Sequence, residues 1–197
     1  MNADSALACL KRGNAAFLAG INNPHQANGP ANPMPTLEHR PFAVVLACSD
    51  ARVPIERIFN QGFGELFVIR VAGNVADAAQ IASVEYAVAE LDVSLVLVLG
   101  HTGCGAVSTA VNARQTQTPA PTRALSELLA QINPALDRLE ADNDAVPAAV
   151  WHNVAYQGER LVSDSELLAD RVARHQLRIV GACCETASGH VDFDDAS

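Results

Sequence analysis

Apolar residues recur at helical spacing between Ala3 and Leu18 (Ala6, Leu7, Leu10, Phe17, Leu18), and Gly20 stands where such a helix would end. The first element is therefore expected to be a helix. Asn22 to Pro35 is rich in Asn, Pro and Gly with little periodicity and reads as a loop that connects rather than separates. Four unbroken apolar runs follow: FAVVLAC (Phe42 to Cys48), ELFVIRVA (Glu65 to Ala72), SLVLVLG (Ser94 to Gly100) and LRIVGACC (Leu177 to Cys184). Runs without polar alternation suit strands covered on both faces, as in a parallel sheet, although short apolar runs are also compatible with buried helix. Helical patterns fill intervals between them, at Asp77 to Leu91 behind an acid suited to capping, at Thr122 to Glu140 and at Ser163 to His175. The pattern predicts an α/β fold, a mainly parallel β-sheet flanked by helices with an N-terminal helical arm. One domain spanning 1–197 is expected, with 1–35 as its helix-and-loop arm.

Composition narrows the class. A length of 197 residues fits one domain, and 49% apolar with 18% charged residues is an ordinary globular balance. The net charge of -9, without a basic cluster, argues against nucleic acid as a partner. The N-terminus lacks the pattern of a signal peptide and no apolar run approaches the ~18 residues of a membrane span, so no membrane association and a cytoplasmic location are expected. Five cysteines (Cys9, Cys48, Cys104, Cys183, Cys184) are an odd, sparse set that suits reduced thiols or metal ligands better than a disulfide framework. Cys183 and Cys184 are expected on opposite faces of one strand as free thiols, and Trp151 and His152 as packing residues.

Two segments carry candidate chemistry. ACSDAR (Ala47 to Arg52) leaves the first apolar run, and GHTGCG (Gly100 to Gly105) leaves the third. In open parallel sheets functional groups gather at the carboxyl ends of strands, so Cys48, Asp50, His101 and Cys104 can converge. Two thiolates, an imidazole and a carboxylate suit zinc, which takes S, N and O ligands in tetrahedral geometry and keeps one position open when catalytic. A lone cysteine at a strand end is usually a small buried hydrophobe. The placement of both segments at strand ends, and the acid with a built-in cation in Cys-x-Asp-x-Arg, weigh against that reading.

The stretches CSDARVPIERIFNQGFGELFVIRVAGNV (Cys48 to Val75), SVEYAV (Ser83 to Val88) and LGHTGCGAV (Leu99 to Val107) resemble, in order and spacing, the pattern of the β-class carbonic anhydrases, and IVGACCETASGHVDF resembles their closing strand. The resemblance implies a Zn2+ ion held by Cys48, His101 and Cys104, with Asp50 and Arg52 as a catalytic dyad and Asp50 joining the metal only in a closed state. It implies reversible hydration of carbon dioxide to bicarbonate and a proton by a zinc-bound hydroxide. Because two thiolates cancel the formal charge of the ion, activity is expected to favour mildly alkaline pH. Phe67, Ala72, Tyr86 and Gly103 match substrate-cleft positions, Phe67 and Tyr86 often serving a neighbouring subunit, and Ala72 replaces a frequently larger residue. A homodimer or homotetramer is expected. Two departures stand out. His39 occupies the place of a glutamine that contacts bicarbonate, and the Trp/Arg/Tyr inhibitory bicarbonate pocket of one branch is here Val45, Arg70 and Cys184. The rival readings are a zinc hydrolase of the same fold acting on carbon disulfide or carbonyl sulfide, and a non-catalytic zinc protein. The second would show a closed four-ligand site without the dyad.

Overall fold

A computed structural model of the chain describes residues 1–21, 39–139 and 145–194. The predicted loop at Asn22 to Pro35 lies outside the described residues. Helix α1 (Ala3–Leu18) opens where the Asn2 side chain accepts from the Ser5 N–H at 2.9 Å. It closes as the spacing predicts: Gly20, at φ 71°, donates to the Phe17 carbonyl, and the Ile21 N–H reaches back to Ala16. These paired bonds satisfy carbonyls that the helix end leaves open.

All four apolar runs are strands: β1 (Ala43–Ala47), β2 (Leu66–Arg70), β3 (Leu95–His101) and β4 (Arg178–Cys184). They form one sheet in the order β2-β1-β3-β4-β5, parallel throughout except for β5 (Val191–Phe193), which pairs antiparallel with β4. The closing run is thus a hairpin of two strands rather than one strand, turned with the help of Gly189 at φ 78°. Every residue of β1 and β3 is buried, because helices cover both faces.

The helices between strands are α2 (Ile55–Ile58), α3 (Ala78–Glu90), α4 (Gly105–Thr116), α5 (Arg123–Leu136), α6 (Ala145–Ser163) and α7 (Glu166–Ala173). Side chains cap three of them: Asp77 accepts from Ala78, Thr122 from Leu125 and Ser165 from Leu168. The Ser165 cap separates α7 from α6, so the predicted helix beginning at Ser163 starts at Glu166 instead, and α5 stops at Leu136 rather than reaching Glu140.

One sheet face, including Val45, Ala47, Leu97, Leu99 and Cys184, packs against α1 and α2. The opposite face, including Val44, Leu46, Val96 and Val98, packs against α3, α6 and α7. Cys183 and Cys184 fall in different clusters, so the two thiols do face opposite ways. Buried Asn14 ties α1 to the far edge of the sheet by donating to the Ile58 and Gly189 carbonyls and accepting from the Val191 N–H. Helix α6 lies so close to β3 that a Cβ on Gly100 would fall 2.6 Å from Val154 Cγ2. The chain runs from β1 outward to β2, then returns past β1 to β3 and on to β4. The carboxyl ends of β1 and β3 therefore flank the point where strand order reverses, the place where open α/β sheets gather ligands.

Candidate metal centre and its acid–arginine pair

Cys48 follows the last residue of β1, His101 ends β3, and Cys104 is the residue immediately before α4. Since β1 and β3 are paired with Ala47 opposite Leu99, the two loops emerge side by side. The ligand atoms of Cys48, His101 and Cys104 all lie within 4.8 Å of one another, and all three residues are buried. The two sulfurs are 4.0 Å apart.

The imidazole shows what the cluster can hold. His101 Nδ1 lies 3.0 Å from the Thr102 carbonyl, which can only accept, so Nδ1 carries the proton and Nε2 presents a lone pair. That Nε2 is buried and has no hydrogen-bond partner among the described residues. A buried nitrogen left unpaired is costly, and a metal ion among the two sulfurs would satisfy it. Two sulfurs and one imidazole nitrogen fit zinc with a fourth position to spare.

Electrostatics favour a thiolate at this spot. The Cys104 thiol donates to Cys48, and the Gly73 and Asp50 N–H groups act in the same direction against burial, so the Cys48 thiol is held well below its ordinary range. The Cys104 thiol is pushed up by that same thiolate and by burial, partly offset by the Ala106 and Val107 N–H groups at the start of α4. The metal-free pair thus shares one proton, which a divalent cation would displace.

Beside the cluster, Asp50 and Arg52 form a two-pronged pair. Arg52 Nε donates to Asp50 Oδ1 at 3.0 Å, Nη2 donates to Oδ2 at 2.7 Å, and the Arg52 backbone N–H adds a bond to Oδ1 at 2.9 Å. The Arg52 side chain and then its backbone N–H hold the Asp50 carboxyl well below the usual carboxylate range. Asp50 Oδ2 lies 3.9 Å from His101 Nε2, next to the space a metal would take, while Arg52 Nη2 also reaches the Gly103 carbonyl.

The structure brings Cys48, Asp50, Arg52, His101, Gly103 and Cys104 together, with Ala72 in a 3-10 turn (Ala72–Asn74) alongside. It does not bring His39, Phe67 or Tyr86 to the same cluster within one chain. His39 is exposed and precedes β1, at the end of the strand opposite Cys48. Phe67 pairs with Val44 on the edge strand, its ring 6.2 Å from that of Tyr86, which is 51% exposed on α3. Sequence reasoning missed two supports. Arg70 donates to the Cys48 and Asp50 carbonyls, and a pair of buried amides on α6, Asn153 and Gln157, reaches the turn beside Cys48. Two amides spaced four apart on an inward helix face were the available signal.

Comparison with known proteins agrees with this geometry. Residues 43–191 match the family model described as carbonic anhydrase. Carbonic anhydrase 2 of Mycobacterium tuberculosis is 34% identical over 98% of this chain and 94% of its own length. The solved β-carbonic anhydrase CcaA is 28% identical, covers 80% of this chain and 78% of its own, and superposes with a TM-score of 0.69. One of two tetrameric β-carbonic anhydrases from Sordaria macrospora shares the fold at 22% identity, covering 80% of this chain and 82% of its own with a TM-score of 0.68.

Proposed function

The chain belongs to the β-carbonic anhydrase family, and on that premise we propose that it catalyses the reversible hydration of carbon dioxide with zinc as its resident metal. The observation that carries the reading is the buried, unpartnered Nε2 of His101, within 4.8 Å of the Cys48 and Cys104 sulfurs. Cys48, His101 and Cys104 are the proposed ligands, and zinc bound there would supply the Lewis acidity that turns water into a nucleophile near neutral pH. Asp50, kept ionised by Arg52 and with Oδ2 3.9 Å from His101 Nε2, would accept a hydrogen bond from the nucleophile and fix the orientation of its lone pair. The Asp50–Arg52 pairing supports an open resting site, because Asp50 must release Arg52 before it can take the metal. The intact pair also disfavours a purely structural metal site.

Phe67, Tyr86 and His39 are assigned to the cleft of a neighbouring subunit. The exposure of Tyr86 and His39 and the place of Phe67 on the edge strand, opposite Val44 rather than beside Cys48, support this. Ala72 and Gly103 border the chain's own cleft. A homodimer or homotetramer follows from that sharing, and the tetrameric relatives are consistent with it. No helix among the described residues is long and apolar enough to cross a membrane, and a cytoplasmic enzyme is proposed.

The test is elemental analysis and X-ray absorption of the purified protein with stopped-flow hydration kinetics. One zinc per chain in a two-sulfur shell is expected, with activity lost on chelation and in Cys48→Ser and Cys104→Ser, since a neutral hydroxyl is a far weaker zinc ligand. Full activity in metal-free protein would overturn the reading.

A further inference from the structure

We propose that Asn153 and Gln157, two buried amides one turn apart on α6, are positioning residues for the Cys48 sulfur and tune its donation to the metal through the backbone at Gly73. The inference rests on Cys48 being a metal ligand. Its starting point is the 3-10 turn after β2. The Gly73 N–H points at Cys48 Sγ, 3.4 Å away, and the Gly73 carbonyl on the next peptide accepts from Asn153 Nδ2 at 2.9 Å. Asn153 Oδ1 accepts from Gln157 Nε2 at 3.0 Å. Gln157 also donates to the Gln131 carbonyl of α5 and accepts from the Ala76 N–H at 2.8 Å. Asn153 thus holds the middle of the turn and Gln157 the chain two residues beyond its end, and each amide is bonded through both its oxygen and its nitrogen.

The backbone held this way is one the chain adopts at a cost. Gly73 and Asn74 are both left-handed, at φ 70° and 45°, and a Cβ on Gly73 would press within 2.8 Å of Ile132 Cδ1. Glycine takes that conformation freely, but Asn74 persists in it only where its surroundings over-determine it. Asn153 and Gln157 are 1% and 0% exposed. Burying two carboxamides is unfavourable unless every bond is made, and apolar side chains would bridge the same gap more simply. What apolar packing cannot do is fix the direction of the Gly73 N–H. A hydrogen bond to a ligating thiolate withdraws charge from sulfur, which matters most where two thiolates already weaken the Lewis acidity of the ion.

The experiment uses the full-length protein and Asn153→Leu, with Gln157→Met as a milder second variant that leaves the Asn153–Gly73 bond in place. Zinc affinity is read by chelator competition. The thiolate-to-metal charge-transfer band is read in the cobalt(II)-substituted proteins. Asn153→Leu should bind zinc about 10–100-fold more weakly and shift the band to longer wavelength, as sulfur becomes more electron-rich, and Gln157→Met should show a smaller shift of the same sign. A band unchanged in both variants, whatever their thermal stability, overturns the inference alone and leaves the amides as packing. Absence of any thiolate band from the cobalt(II)-loaded protein of native sequence overturns the metal assignment and this inference with it.

Discussion

Gly100→Ala tests whether the contact between β3 and α6 sets the position of His101, the next residue along. The added methyl would lie 2.6 Å from Val154 Cγ2 and 2.9 Å from Val150 Cγ1, separations at which something must move. Both valines are buried at 2% exposure, so neither side chain has solvent to move into. Overpacking of this kind costs about 1–3 kcal/mol, and about 2 kcal/mol in a chain of this length lowers Tm by about 4–8 °C. Val154→Ala alone removes two methyl groups from the core and leaves a cavity, a loss of about 2 kcal/mol. If the steric account is right, the double variant does not lose about 4 kcal/mol, because the new methyl enters the vacated space; it loses about 2 kcal/mol, a favourable coupling of about 2 kcal/mol. Urea unfolding at one fixed protein concentration measures the cycle, with the slope m checked for constancy, since oligomerisation makes apparent stability concentration-dependent. Metal affinity should follow the same cycle, weakened in Gly100→Ala and partly restored in the double variant. Additivity within about 0.5 kcal/mol would refute the reasoning.

Arg52→Ala is expected to keep its metal by elemental analysis yet lose nearly all hydration activity, because Asp50 is freed to take the fourth ligand position. Hydration near the wild-type rate in a metal-loaded Arg52→Ala protein would refute this. Bicarbonate should inhibit without cooperativity: Val45 and Cys184 are fully buried in one apolar cluster, and Arg70 is committed to the Cys48 and Asp50 carbonyls. A ligand shifts an equilibrium only through differential affinity, so steep sigmoidal inhibition in steady-state kinetics would count against that geometry.

The central sheet was legible because strands buried on both faces write unbroken apolar runs, and the Cys48–His101–Cys104 cluster was legible because its residues sit directly at or just beyond the ends of two such runs. Helices α4 and α6 were harder to see. The first follows GHTGCG and opens with Gly105, which has low helix propensity, and Cys104 makes no side-chain cap bond there. The second carries Asn153, Gln157 and Gly158 on or near its packed side, which interrupts the apolar stripe that marks a helix. Strand β5 spans only three residues and depends on pairing with β4, so nothing local announces it. Arg70 was visible as the arginine of the altered bicarbonate pocket and not as a support of the site; its bonds to the Cys48 and Asp50 carbonyls arise from the β1–β2 register, with Ala47 opposite Arg70. The residues that brace the Cys48–His101–Cys104 cluster from outside are long-range partners, and single-sequence patterns carry little trace of them.

The acid–arginine pair shows why its hydrogen bonds matter more than its charges. The Arg52 side chain is 56% exposed and that of Asp50 19%, and ion pairs so open to water contribute little Coulombic stability. The two prongs and the backbone N–H of Arg52 nevertheless set the plane of the carboxylate, leaving Oδ2 toward His101 Nε2. Through Nη2 the same guanidinium grips the Gly103 carbonyl, in the loop that carries His101 and Cys104. Arg52 therefore links the loop after β1 to the loop after β3 on the solvent side, while the Gly73 N–H braces Cys48 from the buried side. A lysine at position 52 would keep the charge but not the planar fork that meets both carboxylate oxygens, so what the site demands there is directed bonding between its two loops.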